Sequence, residues 1–193
     1  MSNINLYDIV SSRLFIVSLI IFLSIAISIS YVYTSTDINE PILRLTTFGQ
    51  NMSIADYYPS ESPFIRVGEE VNWNVQIYNK MGKSELVQLR FGIANATNKQ
   101  VLYEEIQLIA NNSTYLLPLK WHIKAADIET RDNNTYSMIK QIVINNNEVN
   151  VNIMNTNGTD FRAVIELLRY NENTNKFEYG DKVRWNEIWF RIE

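Results

Sequence analysis

Glu166 is the residue whose type and position come closest to those of a catalytic or ligand-binding group. It lies within the otherwise apolar run Phe161–Tyr170. A carboxyl group in such surroundings acts as a general acid in some enzymes. It also forms structural ion pairs, for which Arg162 and Arg90 are the expected cations. The sequence favours the ion pair, and an exported hydrolase that uses Glu166 with a second acid is the third of three functional alternatives.

Two further pairs of acids are adjacent in the sequence, Glu69-Glu70 and Glu104-Glu105. Two carboxylates that flank one bond are sufficient for glycoside hydrolysis. Neighbouring residues of a β-strand, however, point to opposite faces of the sheet. We therefore expect neither adjacent pair to act on one substrate.

Several other chemistries lack the residues that they need. The chain has no cysteine and a single histidine, His122, which excludes cysteine nucleophiles, thiolate metal sites and the two-histidine zinc motif. The glycine-rich motifs that hold phosphates or position a nucleophilic serine are absent. The oxygen-rich stretch 155–160 lacks the distal glutamate of a calcium loop and is typical of a hairpin turn. We expect no catalytic residue, cofactor, metal or small-molecule substrate, and no enzymatic activity.

An aromatic loop punctuated by prolines is the segment most typical of a binding surface. It contains Tyr57, Tyr58, Pro59, Pro63 and Phe64. Exposed aromatic side chains bind protein partners or sugars. Aromatic side chains also close the end of a β-sandwich, and the sequence leaves both roles open.

Beyond residue 41, apolar residues recur with a period of two. This pattern predicts that β-strands position the candidate residues. In Val71–Ile77, for example, apolar residues alternate with polar ones. Turns rich in Asn and Gly separate such runs, which favours an antiparallel β-sandwich. Pro118 predicts an edge or a bulge in its run, and residues 125–134 break the rhythm and predict an inserted loop. Residues 161–170 predict a strand that is buried on both faces.

The uncharged run Leu14–Val32 predicts the cellular location of this domain. As a helix it extends about 28 Å, close to the hydrocarbon thickness of a bilayer, about 30 Å. We predict a short cytoplasmic N-terminus at 1–13, a transmembrane helix at 14–33, a linker at 34–41 and an extracytoplasmic domain at 42–193. Arg13 favours an N-terminus inside the cell. A cleaved signal peptide is the alternative.

Sequons for N-glycosylation support this orientation, because none precedes the uncharged run. They begin at Asn51, Asn95, Asn111, Asn112, Asn133 and Asn157. They are candidate glycan attachment sites of an exported domain, and an asparagine-rich composition is the alternative explanation. The net charge of −4, without a basic stripe, argues against nucleic acid as a partner.

Short motifs scattered through the domain support two resemblances. Residues 67–79 resemble the opening hairpin of immunoglobulin-like surface modules, in which a Gly-Glu turn leads into an alternating strand. A larger set resembles an uncharacterised family of membrane-anchored archaeal proteins, a domain of unknown function found in ammonia oxidisers. That set comprises Tyr58-Pro59, Val67-Gly68-Glu69, Asn79-Lys80-Met81-Gly82, Phe161-Arg162, Glu166-Leu167, Trp185 and Ile188-Trp189-Phe190. The resemblance implies a membrane anchor and a β-sandwich, and it transfers no functional residue.

The sequence therefore predicts an all-β chain, an immunoglobulin-like antiparallel β-sandwich preceded by one N-terminal transmembrane α-helix. The expected partners are the lipid bilayer, through the helix, and a protein of the envelope or of a membrane complex. A non-enzymatic structural or protein-interaction role is the first functional hypothesis. An accessory subunit of a membrane enzyme complex is the second.

Overall fold

The computed structural model describes residues 17–28, 41–131, 134–156, 160–180 and 184–193. The chain divides into two units, residues 1–40 and 41–193. In the first unit, residues 17–28 form an α-helix. The part of the chain that the structure describes contains no helix long and apolar enough to cross a membrane. The other residues of the predicted span, 14–16 and 29–33, lie outside the described residues.

Within its described residues, the second unit is built of β-strands. They are β1 (Ile42–Phe48), β2 (Phe64–Ile65), β3 (Val71–Lys80), β4 (Glu85–Ala94), β5 (Lys99–Ile109), β6 (Ser113–Arg131), β7 (Asn134–Ile144), β8 (Asn147–Thr156), β9 (Phe161–Asn171), β10 (Lys176–Glu178) and β11 (Arg184–Ile192). The predicted all-β class is confirmed. The strands form two sheets, an arrangement consistent with a β-sandwich.

The first sheet has the order β1-β3-β6-β7-β8, and the second has the order β2-β11-β9-β4-β5, with β10 also paired to β9. Strand pairs are antiparallel except for β2 and β11, which are parallel. The chain changes sheets at every step from β1 to β4, and again between β5 and β6 and between β8 and β9. The β7–β8 hairpin turns at Asn145 and Asn146, both with positive φ, as a two-residue type I′ turn requires.

Alternating apolar residues of the two sheets meet in one hydrophobic core. Trp73 and Trp121 of the first sheet contact Phe91 and Phe190 of the second, with ring centroids 6.2 Å apart for Trp73–Phe91 and 5.5 Å apart for Trp121–Phe190. All of these rings are almost fully buried. Because a strand sends every second side chain to one face, the remaining residues of β3 and β6 lie on the outer face of the first sheet.

The predicted inserted loop at 125–134 is wrong. Strand β6 continues to Arg131, and β7 begins at Asn134. The register shifts between Ile123 and Ala125 and again between Ala125 and Ala126. These β-bulges interrupt the alternation of side chains, which is why the sequence pattern at this point resembles that of a loop.

Pro118 lies in a strand that is locally an edge, as predicted. Although β6 lies between β3 and β7, residues 113–120 of β6 pair with β3 alone among the described strands, and β7 joins at Trp121. Proline cannot donate to a second neighbour. The missing N–H group therefore costs no hydrogen bond on that side of the strand.

Two buried polar groups fasten one end of the two-sheet unit. Asn79 is fully buried, and its Nδ2 donates to the carbonyl oxygens of Lys83 at 2.9 Å and Ile109 at 2.8 Å. The Asn79 amide thereby joins the β3–β4 turn to the end of β5. Nearby, both carboxylate oxygens of buried Glu85 accept hydrogen bonds from Arg169, at 2.5 and 2.8 Å.

Candidate functional site

The outer face of the second sheet carries buried side chains, two of them apolar, although an outer face of a sandwich is usually solvated. In β9, Ala163, Ile165 and Leu167 belong to the core between the sheets. The alternate residues Val164, Glu166 and Leu168 therefore point outward, yet they are only 5%, 6% and 3% exposed. Strand β9 is central, with β4 on one side and β10 and β11 on the other. The prediction that it is buried on both faces is confirmed.

Glu166 forms an ion pair on this outer face. The Nζ atom of Lys99 lies 2.5 Å from Glu166 Oε1, and the Tyr179 hydroxyl donates to the same oxygen. The predicted ion pair is confirmed, but both predicted cations are wrong. Arg90 lies directly opposite Glu166 on β4 and pairs instead with Glu104, and Arg162 pairs with Glu187.

The β4–β5 hairpin explains why Lys99 reaches Glu166. Lys99 pairs with Ala94 at the start of β5, and the register between the two strands shifts at Phe91 and Gly92. This shift adds a residue to β5, Leu102, so that Lys99 and Val101 lie on the outer face together with Glu104. A bulge of this kind changes which face a side chain occupies.

The Tyr179 hydroxyl stays protonated beside this carboxylate. Burial, followed by the hydrogen bond to Glu166 and the charge of Glu166, raises the pKa of Tyr179 to about 12. The hydroxyl is therefore a neutral donor near neutral pH. It tethers the segment between β10 and β11 to the outer face of the second sheet.

A cleft of about 440 Å³ opens beside the Lys99–Glu166 pair. We call it the tryptophan cleft. It is lined by Ala94, Ala96, Thr97, Asn98, Lys99, Arg162, Val164, Glu166, Tyr179, Trp185 and Glu187. The Trp185 indole is 51% exposed at this wall, whereas Val164 and Ala94 are buried beneath it. The cleft thus combines an open aromatic face, a small apolar floor and several polar groups.

Arg162 is fixed at one end of the cleft by three contacts. Its Nη1 atom lies 3.2 Å from Glu187 Oε1, and its Nη2 atom donates to the Asn95 carbonyl oxygen at 2.6 Å. Its guanidinium group lies over the Trp189 ring, 5.3 Å from the centroid, a cation–π geometry. The side chain is thereby held in place before any ligand arrives.

A second feature lies at the far edge of the same sheet. Strand β5 is the last strand of the second sheet and pairs with β4 alone among the described strands. Its side chains Ile106 and Leu108, which are 54% and 61% exposed, point outward opposite Gln88 and Leu86. We call this pair, with the strand edge that carries it, the β5 apolar edge.

The aromatic loop is integrated into the sandwich. The hydroxyls of Tyr57 and Tyr58 donate to the backbone oxygens of Thr47 at 3.1 Å and Trp189 at 2.5 Å, and both rings pack against the core. Phe64 lies beneath the guanidinium group of Arg191. Pro59 and Pro63 are exposed. This geometry favours closure of the sandwich end over presentation of aromatic rings to a partner.

The sequons differ in accessibility. Asn95 is 8% exposed, and its Nδ2 atom donates to the Met154 carbonyl oxygen at 2.7 Å. Its Oδ1 atom accepts from the backbone N–H groups of Thr97 and Asn98, so the amide is fully engaged and unsuited to carry a glycan in the folded domain. The asparagines at 51, 111 and 112 are exposed. Asn133 and Asn157 lie outside the described residues.

The other residues with chemical potential lie apart from the cleft. Glu104 points outward to Arg90, whereas Glu105 accepts hydrogen bonds from Tyr103 and Tyr115, so the adjacent acids do face opposite sides. His122 is half-buried on the outer face of the first sheet. Among the described residues, no three His, Cys, Asp or Glu side chains come close enough together to hold a metal ion.

Comparisons with known proteins give no family. No family model matches the chain, and no curated protein matches it either. An alkylpurine DNA glycosylase of Pseudomonas fluorescens bound to abasic-site DNA is similar over 59% of this chain and 29% of its own, at 10% identity and a TM-score of 0.32. A β-glucosidase of Listeria innocua is similar over 78% of this chain and 16% of its own, also at 10% identity and 0.32. The chain spans less than a third of either protein, and the resemblance to an archaeal family stays a prediction.

Sequence reasoning missed the tryptophan cleft and the β5 apolar edge. In the last strand, Trp185 and Trp189 share the outer face, and Ile188 and Phe190 share the inner face. The period of two separates two faces without saying which one meets solvent. The available signal was the pair of exposed indoles, since the face with Ile188 and Phe190 is sufficient to fill the core.

Proposed function

We propose that this protein is a membrane-anchored, extracytoplasmic immunoglobulin-like module. In this role it binds a protein partner at the cell envelope through the β5 apolar edge, without enzymatic activity. The strand order supports the immunoglobulin-like assignment. β1, β3 and β6 correspond to strands A, B and E of that fold, and β4, β9 and β11 correspond to strands C, F and G. The β7–β8 hairpin is then an insertion between E and F.

The uncharged run of residues 14–32 supports the membrane anchor, and the sequons beyond it support the external position of the domain. Cell fractionation and protease treatment of intact cells test both assignments. The full-length chain is expected to pellet with membranes and to resist alkaline extraction, and external protease is expected to remove the domain. Recovery of the chain in the soluble fraction would contradict the anchor. A mature N-terminus beyond residue 28 would identify a cleaved signal peptide.

The single observation that carries the proposed interaction is a pair of exposed apolar side chains on an edge strand, which pairs with β4 alone among the described strands. Proteins usually protect edge strands with charges, prolines or covering segments, because an open edge templates further strands. Here the β5 apolar edge presents Ile106 and Leu108, and Glu104, the next outward residue along β5, is paired with Arg90. An extended segment of a partner would add main-chain hydrogen bonds along β5, and the two apolar side chains would select its sequence.

The contacts of the carboxylates support a non-enzymatic role. Glu166 is held by Lys99 and Tyr179, and Glu105 by two tyrosine hydroxyls. A general acid or base must reach the proton that it transfers. Both groups are instead committed to contacts that stabilise the domain.

Photo-crosslinking in intact cells tests the interaction. A photoreactive residue at position 106 is expected to give a recurrent protein adduct. The matched control is position 116, because Leu116 is also an apolar strand residue and is 43% exposed, but on the outer face of the first sheet. A Leu108→Lys substitution should remove the adduct formed from position 106. Equal adduct patterns from both positions would refute the proposal, and an adduct with a subunit of a membrane enzyme would identify an accessory subunit.

A further inference from the structure

The tryptophan cleft has the dimensions of a binding site for a small molecule. Its volume of about 440 Å³ lies within the range of about 300–1,000 Å³ that is typical of such sites. The cleft lies on the outer face of the second sheet, where the sandwich core does not require it. Its lining is distinct from the β5 apolar edge, since neither Ile106 nor Leu108 contributes to it.

The charges of the cleft cancel in pairs. The two cations, Lys99 and Arg162, face the two carboxylates, Glu166 and Glu187, at 2.5 Å and 3.2 Å. A site that selects a phosphate or a carboxylate presents unopposed cations to it, and a site that selects an amine presents unopposed carboxylates. Neither excess is present here. The charge balance therefore favours a neutral ligand that accepts and donates hydrogen bonds.

The apolar surface of the cleft is flat and one-sided. The Trp185 indole is 51% exposed, and Val164 and Ala94 form a small apolar floor beside it. A ligand that fits must have one apolar face for the indole and polar groups around its rim for the paired charges, Tyr179 and the β4–β5 turn. A pyranose ring has this distribution, with C–H groups on one face and hydroxyls at the edge.

We propose that the tryptophan cleft binds a neutral sugar unit of a glycan. The C–H face of the ring lies on the Trp185 indole. The hydroxyls accept hydrogen bonds from Lys99 and exchange them with the Arg162–Glu187 pair, whose charged groups strengthen such bonds, while Glu166 keeps its contacts with Lys99 and Tyr179. The Trp189 ring keeps Arg162 in position. This site goes beyond the protein-binding edge proposed above and does not depend on it.

Titration of the purified full-length chain with neutral and charged sugars tests the proposal. The chain is kept in a detergent whose head group contains no sugar, because a glycoside detergent would compete for the cleft. The probes are glucose, mannose, galactose and N-acetylglucosamine with their β-linked disaccharides, and glucuronate and glucosamine as charged counterparts. Calorimetry and tryptophan fluorescence report binding. We expect saturable binding of at least one neutral sugar and weaker binding of its charged counterparts.

Matched variants locate the site. Trp185→Ala should weaken binding at least about tenfold, which corresponds to about 1.4 kcal/mol, while circular dichroism shows an unchanged fold because the indole is half exposed. Trp189→Phe is the control, since it alters an equally exposed indole of the same strand but keeps a ring beneath Arg162. Ile106→Lys, which should break protein binding, is expected to leave sugar binding unchanged.

Three results would overturn the proposal. One is the absence of saturable binding for every neutral sugar of the panel. Another is binding that Trp185→Ala leaves intact. The third is tighter binding of the charged sugars, which would show that the paired charges are available to ions. None of these results would bear on the crosslinks from position 106, so this proposal and the proposed function fail independently.

Discussion

The outer faces of the two sheets differ although each sheet contributes one face to the same core. In β3 of the first sheet, the outward residues Asn72, Asn74 and Gln76 are polar and partly exposed. In β9 of the second sheet, the outward residues Val164 and Leu168 are apolar and almost fully buried. The outer face of the first sheet is therefore solvated at β3, whereas the outer face of the second sheet is buried at β9.

This difference separates the requirements of folding from those of binding. A sandwich needs only the inner face of each sheet to be apolar, and the second sheet goes beyond that requirement by burying Val164 and Leu168 on its outer face. The second sheet adds the exposed side chains of Trp185 and Ile106 to its buried outer residues. Exposed apolar side chains that the core does not need are candidates for interaction sites. The functional proposals therefore concern the second sheet.

Substituting one outward leucine in each sheet tests this comparison with the largest expected effect. Leu168→Ala should lower the free energy of unfolding by about 2–4 kcal/mol, because the side chain is 3% exposed and leaves a cavity. Leu116→Ala should change it by less than about 0.5 kcal/mol, because Leu116 is 43% exposed. Denaturant titration of both variants measures the difference.

The two leucines make a matched pair, since each lies on the outer face of its sheet. Similar losses in both variants would show that the two outer faces are equally covered, and the comparison between the sheets would then fail. A loss confined to Leu168→Ala would establish a second apolar layer on the second sheet. The midpoint should shift without a change in the denaturant slope, because neither substitution alters the area exposed on unfolding.

The first sheet is the part that the sequence predicts best. In β3 the apolar residues occupy every second position, and the structure buries each of them. Such a pattern predicts both the β-strand and the face of it that is buried. The last strand was predictable for the same reason, with Ile188 and Phe190 on the buried side.

Prediction from sequence fails where a bulge changes the face of the residues that follow it. The shift at Gly92 brings Lys99 to Glu166, and the shifts near Ala125 hide the second half of β6. A period of two carries no mark of an extra residue. The candidate site is therefore less predictable than the fold, because it depends on contacts between distant strands.

Three tyrosines resist ionisation at alkaline pH: Tyr179 beside the second sheet, Tyr103 of the second sheet and Tyr115 of the first. Burial, with the hydrogen bond to Glu166, raises the pKa of Tyr179 to about 12. Burial and Glu105 raise the pKa of Tyr103 and of Tyr115 to about 12 as well. A tyrosine ionises near pH 10 in the unfolded chain. Its contribution to stability is therefore complete below about pH 10 and is lost as the pH rises towards about 12.

Phenolate absorbance and unfolding measured together between pH 9 and about 12 check this expectation. The stability of the domain should fall across that window. Tyr179→Phe should make the fall shallower, because one group that resists ionisation in the folded state is removed. A fall of equal steepness in the variant would show that the hydroxyl of Tyr179 does not hold its proton against Glu166.

Ion pairs provide the smallest and most selective test of the two sheets. In the first sheet, Lys140 pairs with Asp127, and both side chains are nearly half exposed, at 46% and 49%. In the second sheet, Lys99 pairs with Glu166, whose side chain is only 8% exposed. A double-mutant cycle with alanine should give a coupling energy of about 0.2–1 kcal/mol for Lys140–Asp127, reduced further by salt. The coupling energy of Lys99–Glu166 should be larger and less sensitive to salt, because water screens a buried carboxylate less. Equal coupling energies would mean that the outer face of the second sheet is as solvated as that of the first. The Lys99–Glu166 pair would then not be a preformed charge pair, and the argument that the cleft selects a neutral ligand would fail.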